Sequence, residues 1–253
     1  MSGGFETVYS TAIIALGVLS RAEGQEIQQR AYDDIMSVYD TPEEAFDQCL
    51  LEEKSPYVMG LVKESLRYFP PLKLLPARQT YKSFVYQGAV IPKGLLVYTN
   101  TQAISRGEMT TNLPPLQLLL TPPVDTSVYG PDAHLFRPER WVGKDCQSPP
   151  PSHFAFGAGA RMCTAVNFSN RILYAMYCRL ILSFKITESK TMPADIDYIS
   201  YKKDPADSNA IASEFKIKLT ARDPATLERC FERSQEVAEP SNEGLPREEL
   251  KRN

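Results

Sequence analysis

Histidine is almost missing from this chain. His134 and His153 are the two present in 253 residues, too few for a metal centre built on imidazoles. Cysteine is sparse as well: Cys49, Cys146, Cys163, Cys178 and Cys230 are odd in number, irregularly spaced and without a CxxC pair. That excludes both a disulfide framework and a zinc ribbon. No apolar run is long enough to span a bilayer; the longest, TAIIALGVL at 11–19, falls well short of the ~20 residues a spanning helix needs. No secretory signal opens the chain. Basic excess is absent too: 28 Lys and Arg stand against 31 Asp and Glu, a net charge of −3, and no basic stripe interleaved with aromatics offers a nucleic-acid surface. There is no internal repeat and no glycine-rich fingerprint for a flavin or nicotinamide.

What is present is an ordinary globular composition, 43% hydrophobic and 23% charged, enough for one large domain or two small ones. Residues 5–20 and 24–38 read as helices. Residues 41–51 read as a shorter one, entered through Thr41 as N-cap and Pro42 at the first helical position. The 3.6-residue periodicity of PYVMGLVKESLRY predicts a helix over 56–68, stopped by Pro70-Pro71. KSFVYQG, AVIPKG and LLVYTN are short strand-like runs punctuated by glycine and proline, predicting a small sheet. Residues 128–160 read as irregular meander. A long helix is expected from Thr164 to Leu182, with Val166, Leu173, Met176, Leu180 and Ile181 facing the core. EFKIKLTA at 214–221 alternates like a strand. From 230 onward the chain is charged and poor in apolar residues, and is expected to be disordered. The fold class is therefore mainly α with a small β component.

Four patterns bear on chemistry. FAFGAGARMC places Phe156, Gly157, Gly159, Arg161 and Cys163 in one short loop. A cysteine entering a helix is ordinarily a small buried residue, whereas a lone sulfur serving a metal points to a haem rather than a bare ion. Glu64 and Arg67 stand three apart on one helix face, where they can pair. Pro138-Glu139-Arg140-Trp141 is the third pattern. The fourth is Gly3-Gly4-x-Glu6-Thr7 inside a helix; two adjacent helical glycines cost about 1 kcal/mol each against alanine, which implies close approach to the backbone.

In this order and spacing the four patterns resemble the C-terminal half of a cytochrome P-450, a haem-thiolate monooxygenase, over about residues 2–229. SGGFETV, NTQAISR, VYGPDAHLFRPERW and FAFGAGARMC are most similar to the fungal phenylacetate hydroxylase group. The resemblance implies haem b ligated through its iron by Cys163, with Phe156, Gly157 and Gly159 packed around the sulfur. Arg161 and Arg78 match positions that pair with haem propionates. It implies an ion network of Glu64, Arg67 and Arg140 that locks the meander. Glu6 and Thr7 match the acid–alcohol pair that delivers protons to dioxygen, on a helix opened by Gly3 and Gly4. The implied activity is hydroxylation of a small aromatic acid such as phenylacetate, with O2 and electrons from NADPH-cytochrome P-450 reductase. A full-length relative would sit at the endoplasmic reticulum membrane. A secondary-metabolite hydroxylase, a truncated non-catalytic fragment and a haem-free helical protein are the alternatives. Around the substrate, Leu72–Pro76 with Lys73, and Ser208–Ser213, are the candidate pocket segments.

Three departures from the family pattern stand out. Ala165 occupies a position two after the cysteine that is usually glycine. The chain begins inside the distal helix, so the N-terminal half of the fold, with its membrane anchor and much of the pocket, is expected to be missing. GEMTTNLPPLQLLLTPPV at 107–124 interrupts the pattern; its 18 residues correspond to 54 nucleotides, and its Gly-Glu start can be encoded with a splice-donor-like GTGAG. A retained intron is the expectation, which sequencing the transcript across the junction tests.

Overall fold

The computed structural model describes residues 3–106, 129–130, 132–143, 153–197, 200–204 and 206–238. The 107–124 insert and the charged residues beyond 238 lie outside the described residues.

Helix α1 spans Gly3–Ser20, α2 Ala22–Val38, α3 Pro42–Gln48 and α4 Pro56–Tyr68. Their ends follow from local chemistry. Thr41 caps α3, its hydroxyl accepting the Glu44 amide at 3.1 Å, while the Glu44 carboxylate accepts the Asp40 amide at 2.8 Å. Ser55 caps α4 in the same way through Val58 N at 3.2 Å. At the other end Phe69 leaves the helical region because the residue before a proline cannot stay in it. Helix α3 is shorter than the 41–51 expected, since Cys49 closes it onto the Ala45 carbonyl.

Helix α5, Thr101–Arg106, follows two small antiparallel units. Strand β1 (Arg78–Gln79) pairs with β4 (Leu96–Val97), and β2 (Phe84–Tyr86) pairs with β3 (Ala89–Ile91) with Val85 opposite Val90. Gln87 and Gly88 make the β2–β3 turn, both with positive φ, the backbone a two-residue hairpin requires. Helix α6, Val166–Ser183, then runs into β5, Phe184–Glu188, which pairs with β6, Ile217–Ala221.

The core is centred on α6, which packs against α2, α3 and α4. Its buried residues include Leu173, Tyr174, Tyr177, Cys178, Ile181 and Leu182, two adjacent stripes rather than one. The expected face is thus only partly right: Leu173 and Ile181 are buried, whereas Val166, Met176 and Leu180 are half-buried, because helices close on α6 from more than one side. Gln28 joins three elements at its buried end, donating to the Leu19 and Ile186 carbonyls at 2.7 and 2.8 Å and accepting Ile186 N at 2.9 Å.

Helix α7 runs Pro224–Ala238, nine residues into the stretch expected to lack structure. Its charges have partners on α3: Arg229 meets Glu43 at 2.6 Å and Arg233 meets Asp47, over a buried Cys230. Paired charges flanking one buried residue hold a helix that hydropathy alone would not.

Gly60 on α4 lies against the turn of 3-10 helix at Pro138–Trp141. A Cβ there would stand 2.8 Å from the Pro138 carbonyl oxygen and 3.4 Å from Trp141 Cβ. Alanine would gain about 1 kcal/mol of helix propensity, but a rigid backbone atom cannot move aside, and overpacking of this kind costs about 1–3 kcal/mol. Gly60→Ala is therefore expected to lower the urea midpoint; a raised midpoint would show that the turn yields.

Candidate functional site

The loop preceding α6 holds its conformation through its own backbone. Gly157 N donates to the Phe154 carbonyl, Cys163 N to the Phe156 carbonyl, both at 2.9 Å, and Met162 N to the Gly159 carbonyl at 3.0 Å. Gly157 and Gly159 take φ of +75° and +71°, the left-handed region glycine enters without strain. A Cβ on Gly159 would meet open space, and one on Gly157 would touch Leu75 Cδ1 at 3.5 Å. The loop thereby presents Cys163 outward. Cys49, Cys178 and Cys230 are buried, whereas Cys163 is exposed and a free thiol.

Its surroundings are both apolar and cationic. Met162, Phe168 and Ile172 are exposed on the loop and the first turns of α6. Arg161 is exposed and without an ion-pair partner among the described residues, and Arg78 at the start of β1 reaches the Arg161 carbonyl at 3.5 Å. Phe156 is half-buried, its ring 5.6 Å from that of His153. Helix α6 starts at Val166 with Ala165 as N-cap, three residues beyond the sulfur rather than directly after it.

His153 under this loop is buried, and its Nδ1 has no partner among the described residues. Burial first, then the Lys63 and Arg67 charges, push its pKa down to about 4. An unfolded histidine titrates near ~6.5, so between those values the unfolded chain binds one more proton than the folded one. Stability is full above pH ~6.5 and falls by about 1.4 kcal/mol per unit as pH drops toward 4. Urea melts between pH 6.5 and 5, above most carboxylate titration, are expected to show this slope and His153→Phe to flatten it; a flat wild-type profile would contradict a neutral buried imidazole.

The structure brings Glu64, Arg67 and Arg140 together. The Glu64 carboxylate and the Arg67 side chain are both fully buried, 2.7 Å apart at their closest. All five N–H groups of Arg67 are used. Nε and Nη2 donate to Glu64 at 2.8 and 2.7 Å, Nη1 to the Ser105 and Ala133 carbonyls at 2.6 and 2.8 Å, and Nη2 also to the Leu135 carbonyl at 3.0 Å. Glu64 further accepts Arg140 Nε at 3.1 Å, Arg137 N at 2.7 Å and Trp141 Nε1 at 2.9 Å. Arg140 in turn donates to the Tyr129, Asp132 and Leu135 carbonyls. The Asp132 carboxyl is desolvated, yet the neighbouring Arg140 and Arg137 charges hold it below the usual carboxylate range. The sequence pattern includes Trp141 but not its place in the network; a buried indole N–H must find an acceptor, which is the available signal.

Glu6 and Thr7 lie on the first turns of α1, half-buried, beside Gly4, where a Cβ would meet nothing. Glu6 Oε2 accepts from Asn209 Nδ2 at 2.6 Å. Asn209 also bridges Leu72, and Ala210 N donates to the Pro71 carbonyl at 2.8 Å, so the two candidate pocket segments are adjacent. Lys73 Nζ lies 4.8 Å over the Tyr201 ring. The sequence reaches Asn209 only as part of the Ser208–Ser213 pocket segment and not as a partner of Glu6, which lies 203 residues away.

The family model for Cytochrome P450 matches residues 1–110 and 122–206, leaving out part of the predicted insert. Among curated proteins, the phenylacetate 2-hydroxylase of Emericella nidulans is 33% identical over 238 residues, covering 93% of this chain and 42% of that protein. The 3-hydroxyphenylacetate 6-hydroxylase of the same organism is 30% identical over 231 residues, 90% of this chain and 39% of that one. A cytochrome P450 crystal structure superposes with a TM-score of 0.65 at 20% identity, over 88% of this chain and 44% of its own, which shows the fold. The chain spans about two fifths of the length of the curated relatives it matches.

Proposed function

This chain belongs to the cytochrome P450 family, and from that membership we propose that it is part of a haem-dependent monooxygenase hydroxylating a small aromatic acid of the phenylacetate type. The observation that carries the reading is Cys163: an exposed thiol on a glycine-cornered loop, where the other described cysteines are buried. The names of two similar proteins, both hydroxylases of phenylacetates, support the substrate class.

The loop's donor set suits a haem. Cys163 would hold the iron as thiolate; the open space beside Gly159 and the exposed Met162 and Phe168 would receive the porphyrin. Arg161, lacking an ion-pair partner, and Arg78 would hold the two propionates by charge-assisted contacts. When bound, the haem supplies oxygen activation, which thiolate donation favours. The Glu6 carboxyl and Thr7 hydroxyl would carry protons along α1, with Gly3 and Gly4 keeping that stretch of helix open. Glu64, Arg67 and Arg140 keep the Tyr129–Trp141 segment in place and touch no reacting atom. Electrons would come from NADPH through a separate reductase, with O2 as co-substrate, at the endoplasmic reticulum membrane; no helix among the described residues is long and apolar enough to cross a membrane.

The test is haemin titration of the chain, alone and within its full reading frame, followed by reduction under carbon monoxide and turnover of phenylacetate with a reductase. A red-shifted thiolate band with hydroxylated product is expected. A band without product on any phenylacetate would move the substrate to another class, and failure of both forms to take up haem would end the proposal.

A further inference from the structure

The Glu6–Asn209 contact, 2.6 Å long, links the proposed proton path on α1 to the Ser208–Ser213 segment. An amide N–H can only donate, so the carboxylate oxygen it touches acts as acceptor. Asn209 is itself held firmly. Its backbone N donates to Asp207 Oδ1 at 3.1 Å, its carbonyl accepts Ile211 N at 3.0 Å, and it bridges Leu72. The Leu72 carbonyl is anchored in turn by the buried Thr101 hydroxyl at 2.5 Å.

We infer that Asn209 is a positioning residue for Glu6: its side-chain amide fixes Oε2 as acceptor, leaving Oε1 to carry and release the proton. The inference rests on the reading of Glu6 as a proton carrier. A glutamate near the start of a helix has several side-chain rotamers, and a donor anchored to a second segment selects one. The same donor is neutral, so it orients the carboxyl group without placing a charge beside it.

Two measurements test this. In the full chain, without any requirement for haem, the Asn209 side-chain amide resonances are assigned by their loss in Asn209→Ala. Glu6→Ala is expected to move them upfield by more than any other side-chain amide; no movement overturns the contact and the proposal. In the haem-loaded protein, Asn209→Ala is expected to lower kcat about tenfold with KM within about twofold, the pattern of a group that acts in the reaction rather than in binding. Glu6→Gln is expected to be slow, and the double variant no slower than Glu6→Gln alone, since Asn209 acts through Glu6. A double variant slowed by the product of both single effects overturns the positioning role and leaves Glu6 in place. A Glu6→Gln variant at full rate overturns the reading of Glu6 itself, and the positioning role with it.

Discussion

Arg67→Ala is expected to lower the unfolding free energy by about 3–5 kcal/mol, the cost of breaking a buried ion pair by removing one member, with Arg140 left as the remaining cation on Glu64. A whole domain of this kind is stable by only about 5–15 kcal/mol, so the variant should melt early or fail to accumulate. The companion variant gives the finer result. Arg67→Lys keeps the charge but offers three donors where five are used. At least two of the five contacts are then lost, at about 1–3 kcal/mol each, so a loss of about 2–4 kcal/mol is expected. Urea denaturation with an unchanged m-value reads both. If lysine matched arginine, water would be entering the site and the network would not be the closed unit its geometry describes.

Cys163→Ala is expected to abolish the red-shifted thiolate band while moving stability by no more than about 0.5 kcal/mol. The separation follows from exposure: truncating an exposed side chain leaves no cavity and no buried unpaired group. A quantitative thiol assay makes the same point in the unsubstituted chain. Among the described cysteines, Cys163 should react first with an exposed-thiol reagent, because Cys49, Cys178 and Cys230 are buried, and haemin should protect it. Retention of the thiolate band in Cys163→Ala would transfer the ligand to another cysteine. A large loss of stability would mean that the sulfur is part of the packing.

Local pattern was read well from the sequence, and distant pairing was not. Helix α4 has the bounds its periodicity and flanking prolines predict, and Thr41 caps α3 as its position implies. Such features depend on residues within one or two turns of each other, which a sequence displays directly. Helix α7 is the counter-example: its charged residues read as disordered until Glu43 and Asp47, nearly two hundred residues earlier, are seen beside Arg229 and Arg233.

The same division runs through the candidate site. Spacing alone marked Cys163, its glycines, and the pairing of Glu64 with Arg67, because these lie on one loop or one helix face. Only the tertiary structure placed Trp141 against Glu64, Gly60 under the Pro138 carbonyl and Asn209 on Glu6. Those contacts join segments 77 to 203 residues apart. The physical reason is that a hydrogen-bond donor carries no mark of its acceptor until the chain has folded. The sequence by itself determined the longer helices, the family resemblance and the expectation that Cys163 is a metal ligand; packing decided which polar groups are buried, and hence which must be satisfied.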